Sequence, residues 1–446
     1  MKALILSCNT GQGHNSVSGA VTQALKERGV AADTVDALAF VSEWASKTVC
    51  EWHTRLYRYF PKTSGSSYSF VEQHPELFNG RSPIHKLLGL GVDKLYACIS
   101  DGGYEIVICP HVISALMLTD LMKQYPEVKL RTCFIATDYT CSPMCDESDL
   151  DLYFIPDEGL IPEFEAIGLD RSRLSVTDGI PVRSGFYSKK GKAEAKRELG
   201  LPESCRHAVM MFGSMGCGPM PRLAAQILKT LPKDCYITAV CGTNEAVYKR
   251  MQKEFEGEYR LRVLGFADDV PTLLDSADLF ITKPGGLSTA EASVKGVPML
   301  LDNAVSGCEQ YNLEFFCRAG AAVTAEGEAE IARLCSELLK DGERLEKMSK
   351  ALVRTKNAAE QIADALIEGC VSAEAPERIE NDFVYWRERC KLSQSDVSKM
   401  IGIPRRTLRG WESGECEPPA YIKRLIIAEL KRISRRIEQA KDIEEE

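Results

Sequence analysis

Two glycines, Gly285 and Gly286, follow a short apolar run that is typical of a buried strand, and a segment of helical composition comes after them. A strand, a glycine turn and a helix make an anion site, because the first N–H groups of the helix point outward and its dipole adds positive charge. Glycine lets the backbone approach an anion closely, and Ser288 and Thr289 could cap the helix or bond phosphate oxygens. This stretch therefore predicts a phosphate site.

Glu291 stands in the first turn of the same predicted helix, where its carboxylate could accept paired hydroxyls from a ribose. A second helix start at 309–312 adds polar groups beyond the next strand. A phosphate site together with a ribose site indicates a nucleotide. The sequence lacks the Gly-x-x-x-x-Gly-Lys-Ser/Thr pattern, which argues against a nucleoside triphosphatase. A Gly-Gly pair alone could simply close a strand–helix turn, but the thirty-residue series 283–312 favours the nucleotide interpretation.

The first half of the chain offers a candidate base. Residues 1–8 predict a buried strand, residues 16–28 carry a helical apolar stripe, and residues 30–36 predict a second strand. His14 lies between the first strand and the helix, where the helix dipole disfavours its protonated form and would keep the imidazole able to act as a base. An equally simple interpretation is a histidine that bonds the local backbone.

Asp138 follows a predicted strand of the same sheet, at the edge where ligands of such sheets bind. It is the alternative base, or an orienter of the acceptor or of the histidine; a turn-starting aspartate is the simpler interpretation. Strands near 207–212, 237–241, 261–264 and 278–282 predict a second α/β domain. Its first glycine turn, with Gly213 and Ser214, could meet a diphosphate from the facing side.

These strands predict an α/β fold with two Rossmann-like doubly wound domains facing a cleft. We place the first domain at 1–182 and the second domain at 183–372. Neither shows an Asp-x-Asp placed convincingly for a metal, so we expect the helix dipole and Lys283 to stabilise a leaving diphosphate. No metal and no other cofactor is expected.

Composition sets the outer bounds. The 446 residues suffice for two or three domains, and 27% charged residues with a net charge of −9 give no global attraction to nucleic acid or anionic lipid. Seventeen scattered cysteines are typical of reduced thiols rather than of a disulfide framework. Without a secretion signal or a long apolar span, we expect a cytoplasmic protein that contacts a membrane only peripherally.

Residues 44–78 differ from the rest because aromatic and basic side chains alternate there. Such side chains suit a membrane–water interface, where rings bury their apolar bodies and cations meet lipid phosphates. The competing interpretation is a helix pair that covers the sheet. The candidate contacts with acceptor and membrane are Gly13, Trp44, Trp52, His53, Arg55, Tyr57 and Arg58.

The tail forms a separate unit after a linker at 372–376, and we place it at 380–435. Its Leu-Ser-Gln, Gly and Trp-Glu-x-Gly landmarks resemble helix-turn-helix domains of the phage-repressor type. Arg405, Arg406 and Arg409 would then be exposed on the recognition helix. Residues 376–446 hold 15 Lys and Arg against 14 Asp and Glu, so DNA is a possible partner, and a protein-docking or dimerising role stays open.

The series from Gly-Gly-Leu-Ser to Glu-Gln-x-Asn resembles the donor-binding end of inverting glycosyltransferases with two Rossmann-like domains. The Gly-x-Gly-His14 turn and the following Glu-Trp-His segment resemble monogalactosyldiacylglycerol synthases and processive diacylglycerol glucosyltransferases. Together the two resemblances span about residues 1–370, and they imply a GT-B type of architecture in which the domain at 1–182 binds the acceptor and the domain at 183–372 binds the donor. The chain has Cys141-Ser-Pro-Met-Cys145-Asp where many of these relatives carry a tryptophan, which leaves the acceptor open.

The resemblance implies that His14 assists deprotonation of the acceptor and that the backbone near Phe266 holds a uracil edge. It also implies that Glu291 binds the ribose and that residues 309–312 bind sugar hydroxyls. The predicted donor-binding residues are Gly213, Ser214, Phe266, Lys283, Gly285, Gly286, Leu287, Ser288, Thr289, Glu291, Glu309, Gln310 and Asn312.

The sequence thus predicts a transferase that moves a hexose from a UDP-sugar to a membrane lipid such as diacylglycerol. Two alternatives remain: a UDP-sugar epimerase on the same scaffold, and a regulator in which a degenerate transferase senses a sugar nucleotide for a DNA-binding tail. The identity of the sugar is left open, because a few hydroxyl contacts decide it.

Overall fold

The structure, a computed structural model, describes residues 1–8, 12–42, 83–302, 304, 307–352, 354, 356–372 and 382–413, and eight single positions between 415 and 433. The chain forms two compact units, Met1–Ser372 and Ala373–Glu446. The aromatic and basic residues predicted to contact acceptor and membrane, Trp44, Trp52, His53, Arg55, Tyr57 and Arg58, lie outside the described residues.

The first sheet consists of six parallel strands in the order β2-β1-β3-β4-β5-β6. They are β1 (Lys2–Ser7), β2 (Ala31–Asp36), β3 (Ile106–Cys109), β4 (Arg131–Ile135), β5 (Leu152–Ile155) and β6 (Leu174–Val176). The central strands are almost entirely apolar and buried, as parallel strands covered on both faces must be. The strand order reverses between β1 and β3, so the loops that follow these two strands open a crevice between them.

The described residues of this part of the chain form the helices α1 (Gln12–Glu27), α2 (Ala37–Val41), α3 (Pro83–Gly102), α4 (Val112–Gln124) and α5 (Ile161–Ala166). Helix α1 begins four residues before the predicted start. Its first turn therefore already contains Gly13 and His14, and the predicted loop is correspondingly shorter.

The second sheet also has six parallel strands, in the order β12-β11-β10-β7-β8-β9. They are β7 (Arg206–Met211), β8 (Cys235–Val240), β9 (Leu261–Leu264), β10 (Leu279–Thr282), β11 (Met299–Leu301) and β12 (Ala322–Thr324). Its helices are α6 (Lys192–Glu198), α7 (Met220–Thr230), α8 (Glu245–Glu254), α9 (Val270–Ser276), α10 (Gly286–Lys295), α11 (Cys308–Arg318), α12 (Glu328–Lys340) and α13 (Gly342–Lys350). Here the order reverses between β7 and β10.

The two sheets confirm the predicted pair of doubly wound domains. Sequence patterns missed β6 and β12, which have three residues each and carry too short an apolar run to show a period. Helix α14 (Ala358–Ser372), which ends the unit, packs against α1 of the first sheet. Arg28, directly after α1, donates to Asp364 on α14 at 3.0 Å, so the chain crosses back to the domain in which it began.

The two sheets meet where the loop after β4 touches the start of α10. A Cβ atom at Gly286 would lie only 2.0 Å from the carbonyl oxygen of Thr137, so only glycine allows this approach. Asn312 on α11 holds the same junction: its carbonyl oxygen accepts from the Tyr139 N–H at 2.7 Å, and its amide donates to Asp138 at 2.8 Å and to the Pro284 carbonyl at 3.0 Å.

The second unit contains α15 (Asp382–Arg389), α16 (Gln394–Ile401) and α17 (Arg405–Glu412). A capping box between Ser393 and Asp396 starts α16, and Gly402 in the left-handed conformation ends it. Phe383 stacks on Trp411, and Arg387 donates to both oxygens of the buried Glu412 carboxylate at 2.8 and 3.1 Å. These contacts fix α17 against α15.

None of the helices in the described part of the chain is both long enough and apolar enough to span a bilayer.

Replacing Gly286 with alanine should force α10 away from Thr137, because the new methyl group would meet a backbone oxygen that cannot rotate aside. We expect a loss of about 1–3 kcal/mol, the usual cost of overpacking, seen as a lower unfolding midpoint. Gly89→Ala is the matched control, since Gly89 also lies within a helix and has no atom within 4 Å of its would-be Cβ. Equal midpoints for the two variants would contradict this account of the junction.

Candidate active site

The carboxyl ends of β7 and β10 bring Lys283 against two glycine turns. The Lys283 Cε atom would lie 3.3 Å from a Cβ at Gly213 and 3.8 Å from one at Gly285. The ammonium group bonds the Glu309 carboxylate, and both side chains are mostly buried. The residues predicted to bind phosphate thus lie together at the point where the strand order of the sheet reverses, which is where ligands of this architecture bind. The Lys283 ammonium group, however, already forms an ion pair with Glu309.

Helix α10 begins directly at the glycine pair. Gly285 occupies the cap position that we predicted for Ser288 or Thr289, because the backbone is already helical from Gly286 onward. Thr289 is fully buried, and its hydroxyl donates to the carbonyls of Gly285 and Gly286 at 3.1 and 3.0 Å. The N–H groups of the first turn remain the feature that suits an anion.

Glu291 lies in the second turn of α10, one turn later than we expected from the sequence, and only 7% of its surface is exposed. In the described part of the chain, no hydrogen bond or ion pair reaches its carboxyl group. Burial raises the pKa of the Glu291 carboxyl to about 8, and the positive charge of Arg183 opposes this rise. A buried carboxyl group without such bonds is costly in a folded protein, so this group is suited to a ligand with hydroxyl donors.

Arg183 lines a groove of about 700 Å³ between α1 and the loop that precedes α9. Asn15 and Gln23 form one wall, and Asp268 and Asp269 belong to the other. The volume falls in the range of small-molecule sites. Phe266, two residues before Asp268, is 63% exposed.

His14 projects from the first turn of α1 toward the loop after β3. Its Nδ1 atom lies 3.0 Å from the Pro110 carbonyl oxygen, which can only accept, so the proton is assigned to Nδ1 and the lone pair to Nε2. Burial lowers the pKa of His14, and the bond to Pro110 acts in the opposite direction. The direction agrees with our expectation, but burial is the main cause where we invoked the helix dipole.

His111 packs edge-on against His14, with the ring centroids 4.6 Å apart. The His111 Nδ1 atom caps α4 by accepting from the Ile113 N–H at 3.1 Å. This second imidazole therefore has a structural task and helps to bury the first.

Asp138 lies at the junction rather than free in the crevice. Burial raises the pKa of Asp138 to about 6, while the bond from the Asn312 amide lowers it. One carboxylate oxygen would lie 2.8 Å from a Cβ at Gly286, so Asp138 borders the start of α10. The predicted role of Asp138, as alternative base or as orienter of the acceptor or of His14, stays a prediction.

The remaining predicted donor residues differ in accessibility. Asn312 is fully buried and bonds three protein groups, so the structure gives it a connecting role where we expected direct contact with sugar hydroxyls. Gln310 is exposed and donates to Glu314 at 3.0 Å. Leu287 lies 3.9 Å from the position of a Cβ at Gly13, which brings the two predicted loops into contact.

Sequence reasoning missed Pro110, His111, Thr137 and Arg183. Pro110 and His111 follow β3 as directly as His14 follows β1, so the neighbouring carboxyl ends of parallel strands were an available signal. Arg183 stands just past the predicted domain boundary, and its proximity to Glu291 depends on how the chain crosses between the sheets. No local pattern contains that information.

Glu291→Gln should change the pH dependence of stability. The folded chain holds the proton of Glu291 up to a pKa of about 8, whereas the ordinary pKa of such a group is 4.5. The resulting contribution to the free energy of unfolding is therefore complete below pH 4.5 and is lost as the pH rises through 8. The parent should therefore lose stability relative to Glu291→Gln between about pH 5 and pH 9, by several kcal/mol, at about 1.4 kcal/mol per pKa unit. Urea unfolding of both proteins across this range measures the difference; a pH-independent difference would contradict the assigned burial.

Three family models match this chain. Residues 14–182 match monogalactosyldiacylglycerol (MGDG) synthase, residues 222–354 match glycosyl transferases group 1, and residues 385–420 match a helix-turn-helix model. The chain is 26% identical over 377 residues to a processive diacylglycerol beta-glucosyltransferase of Bacillus pumilus, a match that covers 82% of this chain and 94% of that protein.

Two solved structures share the fold. MurG of Acinetobacter baumannii has a TM-score of 0.57 at 13% identity, covering 82% of this chain and 99% of that one. A putative UDP-N-acetylglucosamine 2-epimerase of Listeria monocytogenes has a TM-score of 0.55 at 16% identity, covering 84% and 98%. These similarities confirm the GT-B type of fold, which transferases and epimerases have in common. The family models, together with the relative named as a diacylglycerol glucosyltransferase, identify the chain as a glycosyltransferase that joins an MGDG synthase domain to a glycosyl transferases group 1 domain and a helix-turn-helix domain.

Proposed function

We propose that this chain transfers a hexose from a UDP-sugar to the hydroxyl group of a membrane lipid such as diacylglycerol. The observation that carries the proposal is the contact between the two loop edges. Gly13 lies against Leu287, and Gly286 lies against Thr137, so the start of α1 with the candidate base and the start of α10 with the candidate phosphate site border one space. A transferase needs this proximity, because acceptor and donor must react directly.

The donor would lie on the second sheet. Its diphosphate would meet the first turn of α10, its ribose hydroxyls would bond Glu291, and Glu309 and Gln310 would contact the sugar. A buried carboxylate gains charge-assisted bonds from two hydroxyl donors, and Arg183 adds positive charge nearby. The relative from Bacillus pumilus, named for a glucosyl transfer, supports a hexose as the transferred group.

His14 would act as the general base. Its Nε2 atom accepts the proton of the lipid hydroxyl as the oxygen forms a bond to the anomeric carbon, and the bond from that carbon to the diphosphate breaks. UDP leaves with the electron pair, stabilised by the helix dipole and by Lys283. Attack opposite the leaving group inverts the anomeric configuration. The bond from Nδ1 to Pro110 holds the imidazole in the tautomer that this step needs.

We also propose that the protein works at the cytoplasmic face of the membrane, with the segment 44–58 contacting acceptor and lipid. The relatives named for transfer to diacylglycerol support a lipid acceptor. The donor screen described next identifies the sugar that is transferred and tests the lipid that accepts it.

A donor screen tests the function. Purified chain is incubated with UDP-glucose, UDP-galactose or UDP-N-acetylglucosamine, with and without vesicles that contain diacylglycerol, and the products are analysed by mass spectrometry. We expect a glycosylated lipid with one donor, only when lipid is present, and unchanged yield with EDTA. Isomerised UDP-sugar without lipid would support the epimerase instead, and tight binding without any product would support a sugar-nucleotide sensor.

Two variants separate binding from chemistry. Glu291→Ala should weaken UDP and UDP-sugar binding alike, by roughly 1.5–3 kcal/mol for each charge-assisted bond that is removed. His14→Ala should leave UDP binding nearly unchanged and reduce kcat about 10²–10⁴-fold. Calorimetry and the transfer assay measure both effects. Glu346→Ala, which removes an exposed carboxylate on α13, is the control. UDP binding that survives Glu291→Ala would place the nucleotide elsewhere.

We propose DNA binding as a second function, located in the second unit. Arg405, Arg406 and Arg409 lie on α17, and within the described residues no acidic side chain pairs with them. Helix α17 is held by the buried pair of Arg387 and Glu412, so these arginines project from a fixed element. Arginines on such a helix suit phosphates and base edges.

Replacing Arg405, Arg406 and Arg409 together with alanine should weaken binding to a mixed-sequence duplex of about 30 base pairs at low salt by roughly tenfold or more. The slope of log affinity against log salt should fall by about one for each phosphate that the variant no longer neutralises. Fluorescence anisotropy measures both quantities, with Arg333→Ala, an exposed arginine on α12, as the control. A parent that ignores DNA at low salt would favour a protein-docking role for this unit.

A further inference from the structure

The turn between β8 and α8, residues 241–244, lies between two loops that the sequence predicts to contact the donor. The Thr243 N–H donates to the Ser214 carbonyl at 2.8 Å, in the glycine turn at 213–216. The Gly242 N–H donates to the Gly265 carbonyl at 3.1 Å, next to Phe266. One turn is therefore bonded to both the diphosphate side and the uracil side of the proposed site.

The contact between the turns at 213–216 and 241–244 depends on one glycine in each turn. Gly216 and Gly242 both have φ of +58°, a conformation that other residues rarely adopt. A Cβ at Gly216 would lie 2.0 Å from the Cys241 carbonyl oxygen, and one at Gly242 would lie 2.1 Å from the Ser214 carbonyl oxygen. Because each turn occupies the space of the other's missing side chain, neither can shift alone.

The Asn244 side chain completes the link. Its amide donates to the Gly216 carbonyl at 3.1 Å, and its carbonyl oxygen accepts from the Val247 N–H at 3.2 Å, which caps α8. A single side chain thus joins the glycine turn to the start of a helix. Cys241 in the same turn donates its N–H to the Leu264 carbonyl at 2.9 Å, which continues the link to the end of β9.

We propose that Asn244 is a positioning residue that sets the distance between the diphosphate turn at 213–216 and the uracil turn at 265–266. It need not touch the donor. It fixes the turn at 213–216 to the turn at 241–244, which in turn bonds Gly265 through the Gly242 N–H, and so matches the site to a uridine diphosphate, whose two ends must engage together. The inference rests on the proposed function, since that function requires a UDP-sugar, and on the sequence-based prediction that both turns contact this donor.

The test compares two ligands of different reach. UDP engages both turns, whereas uridine engages only the uracil and ribose contacts. In Asn244→Asp, the carboxylate can still cap α8, but it cannot donate to Gly216 and instead faces a carbonyl oxygen. We expect the Kd for UDP, measured by calorimetry, to rise at least about tenfold (about 1.4 kcal/mol). The Kd for uridine, measured by ligand-observed NMR, should stay within about twofold.

Asn244→Ser, which keeps a capping hydroxyl but also removes the amide donor, should reproduce the selective loss. Asp341→Ala is the control: it removes a comparable helix cap, on α13, without touching either turn, and should leave both Kd values unchanged. Equal loss of UDP and uridine affinity, or no loss of either, would overturn the positioning role while leaving the proposed function standing. A parent that binds no UDP would overturn both.

Discussion

The close approach of α10 to the loop after β4 is the constraint on which the rest of the site depends. Gly286 has no Cβ, so the helix start comes up against the Thr137 carbonyl, and Asn312 closes the junction with three hydrogen bonds. The helix that offers its amino terminus to a phosphate is thereby placed beside the loop edge of the other sheet. Each sheet alone carries half of a site. The proximity that a direct transfer requires comes from this one contact.

The candidate site contains three acidic side chains that are shielded from solvent, and they differ in how the protein compensates them. Glu309 is compensated by Lys283, and Asp138 receives a bond from Asn312, but Glu291 has neither kind of partner in the described part of the chain. Burial raises the pKa of both Glu291 and Asp138, to about 8 and about 6. Such shifts cluster at functional sites, where groups are held ready for a ligand at the expense of stability. A ribose with two hydroxyl donors would supply the bonds that the folded chain does not give Glu291.

Local patterns were sufficient to predict most of the architecture. Apolar runs that end in glycine or polar turns marked most of the strands in the described part of the chain, because a parallel strand covered on both faces has to be apolar throughout. The same reasoning located His14 and the glycine pair close after strand ends, and Glu291 on the helix that follows the glycine pair. It could not determine that Asn312 points into the junction, because a polar residue at a helix start has the same sequence pattern whether it faces a ligand or a neighbouring loop. The crossing of α14 to α1 and the approach of Arg183 to Glu291 are likewise long-range, and no spacing in the sequence encodes them.

A crystal structure of the full chain with UDP tests the central claim most directly. The account predicts that both ribose hydroxyls bond the Glu291 carboxylate and that the diphosphate lies at the first turn of α10. It also predicts that the His14 Nε2 atom faces the position from which an acceptor would attack. A nucleotide bound elsewhere in the groove beside α1, with no ligand atom on the Glu291 carboxyl group, would contradict it.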